Sequence, residues 1–154
     1  MHMLEYLNYR PDGIFGRYTF DGDDKPMFVT LSHSYQQPDG SYLPIVLPGD
    51  NGESKIYTAV RGTHALSNGV PFETFEIIGI AGHTGLLFVH PGCFQKDSHG
   101  CTLCGEKVIQ YDSDGDGKIT VVDDEMITNS RVTFHKWMER MGNTQSFQLE
   151  VKNA

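Results

Sequence analysis

The chain has 154 residues, the length of one domain spanning 1–154 with interior enough to fold without disulfide staples. Its formal charge is −8, and its 12 lysines and arginines are scattered singly, so no basic stripe is present to neutralise phosphates and nucleic acid is excluded as an expected partner. No apolar run reaches membrane-spanning length, and Met1 to Tyr6 has neither the basic start nor the apolar stretch of a signal peptide, so the expectation is cytoplasmic synthesis with no membrane span.

Short apolar runs punctuated by turn residues fill the first half, the pattern of a β-sandwich or barrel. Leu4 to Tyr9 is the first expected strand. Ile14 to Phe20 and Met27 to Leu31 flank Asp21-Gly22-Asp23-Asp24, which predicts a hairpin turning at Asp-Gly. Gln36 to Gly40, the proline-framed Leu43 to Leu47 and the polar Pro48 to Ser54 are expected at edges and in loops. Ile56 to Val60 and Phe72 to Ile80 supply two more strands. The second leads through Gly82-His83 into the apolar run Gly85 to Val89, which ends on His90 and is broken by Pro91-Gly92.

The stretch from Gly79 to Glu106 holds three of the seven histidines and all three cysteines. The odd count means that at least one thiol is unpaired or bonds to another chain. Cys93 and Cys104 can bridge across the loop that carries Cys101, a choice that geometry makes. In Ser98-His99-Gly100-Cys101 a thiol follows a glycine, where the backbone can turn sharply and aim its N–H groups outward. A nucleophile and an oxyanion hole can then share one loop.

Two signals follow. Asp112, Asp114 and Asp116 alternate, Gly117 follows, and Asp123 closes a twelve-residue frame. This is the calcium-loop pattern, inserted over 112–123, and it predicts one Ca2+ held by Asp112, Asp114, Asp116, the carbonyl of Lys118 and Asp123, with Ile119 pointing inward as an anchor. From Val122 to Met141, Ile127, Phe134, Trp137, Met138 and Met141 recur at helical spacing and Gly142-Asn143 is a stop, so one long helix is expected there, followed by a strand over Phe147 to Val151. The expected fold is mainly β (α+β), with one C-terminal α-helix.

An apolar strand ending in His90-Pro91-Gly92, a short polar loop and then Asp97-Ser98-His99-Gly100-Cys101 resembles the active-site region of L,D-transpeptidases of the YkuD type. Over more of the chain, through Gly13-Ile-Phe-Gly16, Val29-Thr-Leu31, Pro44 to Gly49, Phe88 to Gly92, Asp97 to Cys101 and Ile127 to Arg131, it resembles a small phage-associated family of uncharacterised proteins related to them. The resemblance implies an L,D-transpeptidase-like β-sandwich or barrel. It makes Cys101 the nucleophile, His90 its base, and the N–H groups of Gly100 and Cys101 the oxyanion hole, with Ser98 and His99 completing the motif. His83 is the alternative base, because it fits the transpeptidase spacing to the serine better. The implied substrates are peptidoglycan stem peptides, and the implied setting is a phage particle. Such chemistry suits the residues: a thiol needs an imidazole to become thiolate, and the acyl intermediate needs aimed donors.

Two other expectations stand beside this one. A tail-associated virion component, contacting other virion proteins, keeps such a fold without turnover. Third, His90, Cys93, His99, Cys101 and Cys104 offer five soft ligands for a structural zinc. His33, His64 and His135 are assigned no role beyond surface or capping positions, and no organic cofactor is expected.

Overall fold

Alternation sets the first strands: His2, Leu4 and Tyr6 are buried while the residues between them are not, the period of a strand with one covered face. The computed structural model describes residues 1–66, 69–93, 95–111, 113–119 and 124–154. In chain order the strands are β1 (His2–Arg10), β2 (Gly13–Thr19), β3 (Phe28–Ser32), β4 (Tyr35–Gln36), β5 (Tyr42–Leu43), β6 (Lys55–Ala65), β7 (Pro71–Ile78), β8 (Phe88–His90), β9 (Thr102–Gly105), β10 (Val108–Gln110) and β11 (Glu125–Ile127). The helix α1 (Ser130–Met141) and β12 (Ser146–Asn153) complete the chain.

Eight strands form one sheet in the order β7-β6-β12-β1-β2-β3-β9-β8. The β1–β12 and β8–β9 pairs are parallel and the other pairs in it antiparallel. Its two ends meet where Glu76 of β7 lies opposite Leu87, just ahead of β8. There the Ile77 N–H donates to the Leu86 carbonyl at 2.7 Å, and the Thr74 hydroxyl donates to the Val89 carbonyl at 2.6 Å. The result is a nearly closed, barrel-like sheet with one helix, as the punctuated apolar runs predict.

The helix lays Phe134, Trp137 and Met141 against the inner face. Trp137 meets Phe75 edge-on at 5.4 Å and Phe88 at 5.9 Å between ring centroids, the geometry that aligns ring edges with ring faces. Its indole N–H donates to the Tyr18 hydroxyl at 3.0 Å, and the same hydroxyl lies 2.5 Å from Nδ1 of buried His2. The polar atoms of this aromatic centre are therefore paired with one another. Cys104 also faces this core, while Phe15, Leu31, Leu103 and Ile127 form a second, smaller cluster.

Two expectations are corrected, and one strand is added. The helix starts at Ser130, because Glu125–Ile127 pairs antiparallel with Val108–Gln110 as a hairpin, and Ile127 packs with Phe15 and Leu31. Thr128 continues that pairing through its N–H to the Lys107 carbonyl at 3.0 Å, and Asn129 turns left-handed at φ 52° before the first helical residue. The run from Gly85 contributes a strand only over Phe88–His90. Thr102–Gly105, directly after the motif cysteine, is a buried strand between β3 and β8.

Candidate functional site

Ser98 shapes the Cys101 loop. Its hydroxyl donates to the Cys101 carbonyl at 2.5 Å and accepts the Gly100 N–H at 3.2 Å, and its side chain is buried. Gly100 has φ +112°, and a Cβ there would lie 2.4 Å from Cδ1 of Ile45, so only glycine fits the turn. Because its N–H is consumed inside the loop, Gly100 is not an outward donor, which corrects the expected oxyanion hole at that position.

The loop delivers the Cys101 sulfur to the barrel seam. The Leu87 N–H donates to it at 3.2 Å, and the thiol lies 3.5 Å from the Gly85 carbonyl. One step on, the Thr102 N–H donates to the Leu87 carbonyl at 2.9 Å, so the sulfur takes the place that a backbone carbonyl holds in a regular parallel ladder. Burial raises the thiol above its ordinary value of 9.0, the Leu87 N–H and its own N–H draw it back, and the Glu76 carboxylate pushes it up. On the other side Tyr35 has its phenol raised by burial and by the field of Cys101. The His33 ring lies 4.5 Å from Tyr35 and 6.4 Å from His99, and Ile45 touches Gly100, so the segment from His33 to Ile45 forms a wall over the loop.

The expected imidazoles stand apart from the sulfur. His90 is buried at the end of β8 with Nδ1 2.8 Å from the Pro91 carbonyl. Burial lowers its pKa from the ordinary 6.5, against the upward pull of that carbonyl and of Asp97. His83 sits exposed in the turn where its N–H meets the Ile80 carbonyl, two residues before Gly85. Among the described residues, no hydrogen bond joins either ring to the Cys101 sulfur. His99 is exposed beside His33.

All three cysteines are free thiols. Cys104 points into the main core toward the Ser130 carbonyl at 3.9 Å, where burial raises its pKa strongly. The Cys93 N–H donates to Asp97 at 3.0 Å, and burial and Asp97 raise its thiol. The five soft ligands thus diverge, and no group of three metal-binding side chains gathers among the described residues.

The aspartate loop joins β10 to β11 and does not lead into the helix. Asp114 accepts the Asp116 N–H at 3.2 Å, Asp116 accepts the Lys118 N–H at 2.8 Å, and Gly117 has φ +81°. Ile119 is 56% exposed, so it does not anchor the loop as expected. Asp112 and Asp123 lie outside the described residues. The hairpin base is fixed elsewhere: the Glu125 N–H donates to Asp12 at 2.5 Å, and Arg10 pairs with Glu125 at 2.9 Å.

Sequence reasoning missed the Leu87 amide at the sulfur, and Glu76 and Tyr35, whose charges are felt between them and Cys101. Each comes from a segment distant in the chain, and only strand pairing brings it there. Comparison of the chain with family models, with curated proteins and with solved structures finds no match.

Proposed function

We propose that the protein performs cysteine-dependent acyl transfer or hydrolysis on peptides, with Cys101 as nucleophile, and that its substrates are stem peptides of peptidoglycan met in a phage setting. The observation that carries this reading is the Leu87 N–H aimed at the Cys101 sulfur at 3.2 Å, a donor that favours the thiolate at the rim of the sheet. The thiol loses its proton, the sulfur bonds to the peptide carbonyl carbon, and the carbon–nitrogen bond breaks as the amine leaves with a proton. Water or a second amine then resolves the thioester. Of the two expected bases, His83 is the one two residues from Gly85, whose carbonyl the thiol approaches, and it is exposed to receive a substrate-side proton. The native protein incubated with p-nitrophenyl acetate should form a Cys101 thioester visible by intact mass. Ester formation equal in Cys101→Ser would sink the proposal.

A second reading, a virion component, is favoured by one groove. Leu47, Ile56 and Ile78 are 40%, 52% and 45% exposed and line a cavity of about 470 Å³ beside Ile45 and Tyr57. Apolar side chains grouped in this way are typical of protein contact surfaces. Concentration-dependent association abolished by Ile78→Lys would favour it.

For the aspartate loop, Asp112, Asp114, Asp116, the Lys118 carbonyl and Asp123 are proposed as ligands of one structural Ca2+, on the strength of their spacing and the bend at Gly117.

A further inference from the structure

The carboxylate of Glu76 has a setting that the chemistry at Cys101 does not yet use. Glu76 lies directly opposite Leu87 in the antiparallel bridge that closes the barrel, and Leu87 is the residue whose N–H holds the Cys101 sulfur. Directly opposed residues of an antiparallel pair have their Cα atoms about 5 Å apart, and the sulfur meets Leu87 across the opposite edge, so the carboxylate stands one strand away from the thiol, where its field still reaches the sulfur. It is half-buried, and among the described residues no hydrogen bond or ion pair engages it. The nearby cation Arg61, on β6, is committed elsewhere. It donates to the Thr144 and Gly142 carbonyls at 2.7 Å each and reaches Glu73, not Glu76, at 3.9 Å.

We propose that Glu76 determines specificity at the Cys101 site by selecting peptides that carry an ammonium group next to the carbonyl attacked. The inference rests on the reading of Cys101 as an acyl-accepting nucleophile and names the charge class of its substrate. A partly desolvated carboxylate without a partner gains most from a cation, and repels an anionic peptide placed over the same thiol. Glu76 takes no part in bond making: the sulfur–carbon bond forms and the carbon–nitrogen bond breaks as described above. The empty carboxylate also disfavours the thiolate. A bound ammonium cancels that field, so the matching peptide both docks and eases ionisation of the sulfur.

The test uses the whole chain and three methanethiosulfonates, bearing a trimethylammonium, a methyl or a sulfonate group, with Cys101 modification followed by mass mapping at about 0.15 M salt, where charges beyond roughly 8 Å are screened. The cationic reagent should react faster than the anionic one. Glu76→Gln should reduce that ratio at least about fivefold and Glu76→Lys should invert it, whereas Glu73→Gln, which removes the same charge from the same strand, should leave it within about twofold. A ratio unchanged in Glu76→Gln, or lowered equally in Glu73→Gln, overturns the inference. The rate with the neutral reagent reports whether each variant keeps its site. Acylation by p-nitrophenyl acetate separates the two ideas. Without a Cys101 ester the nucleophile reading falls, and the peptide substrate with it; acylation with an unchanged charge ratio removes only the role of Glu76.

Discussion

The Leu87 amide and the Cys101 sulfur, 3.2 Å apart, form the contact on which the site turns. In a parallel ladder that amide would meet the carbonyl of residue 100, but the left-handed turn at Gly100 and the serine-held Cys101 carbonyl present the side chain instead. A thiol held by a main-chain donor cannot drift, and its reactivity reports the integrity of the seam.

Iodoacetamide should therefore label Cys101 before Cys104, whose side chain is fully buried in the core. The Cys101 rate should keep rising with pH beyond 9.0, the ordinary thiol value, because burial raises this thiol. Peptide mapping after limited alkylation checks the order, and early labelling of Cys104 would contradict the packing described.

Ser98→Ala removes the acceptor of the Gly100 N–H and the donor to the Cys101 carbonyl in a buried loop. Leaving such a group unpaired costs about 1–3 kcal/mol, which a shift in the urea midpoint at constant slope would register. The same variant should change the alkylation rate of Cys101 while leaving that of Cys93 as it was.

Trp137→Ala should be the most damaging single truncation, costing about 3–5 kcal/mol, because its indole sits where the aromatic rings of five strands converge. Tyr18→Phe should cost less, about 1–3 kcal/mol, by stripping the partner from the Trp137 N–H and the His2 ring. Equal losses in the two variants would mean that the hydroxyl, and not ring packing, organises the core.

Acid should destabilise the fold through two histidines. Burial is the main cause that lowers both His2 and His90 from the ordinary 6.5, so the unfolded chain binds protons more readily than the native one. Their contribution is present above pH 6.5 and is lost as pH falls through the lowered native values. Urea midpoints measured from pH 7.5 down to 5 should drop, and His90→Gln should shrink the drop. A midpoint flat over that interval would contradict the burial of both rings.

Calcium should raise the melting temperature by mass action, and Asp114→Ala should abolish the rise. Asp123 has a shorter reach than the glutamate usual at the last position, so the affinity should be modest. Melting curves that coincide with calcium and with chelator would reduce 112–123 to an acidic turn.

Local pattern was enough to place β1, the Asp21-Gly22 hairpin, the first half of β6, the strand β7, the last strand and the helix face of Phe134, Trp137 and Met141. These features need only a period of two or 3.6 and a turn residue, and both are written within a few neighbouring positions. The helix start was misplaced because Ile127 matches the helical period, while long-range pairing with Val108 decides its conformation. The same limit governed the site. Ser98-His99-Gly100-Cys101 is legible as a tight loop with a thiol at its end, but where that thiol points depends on the sheet closing between Glu76 and Leu87. Strand closure joins residues far apart in the chain at one seam, and no local spacing encodes which carboxylate or amide arrives there. The amino-acid order determined the parts; the closing of the sheet at Leu87 decided that a backbone amide meets the sulfur and that a carboxylate stands across the same strand from it.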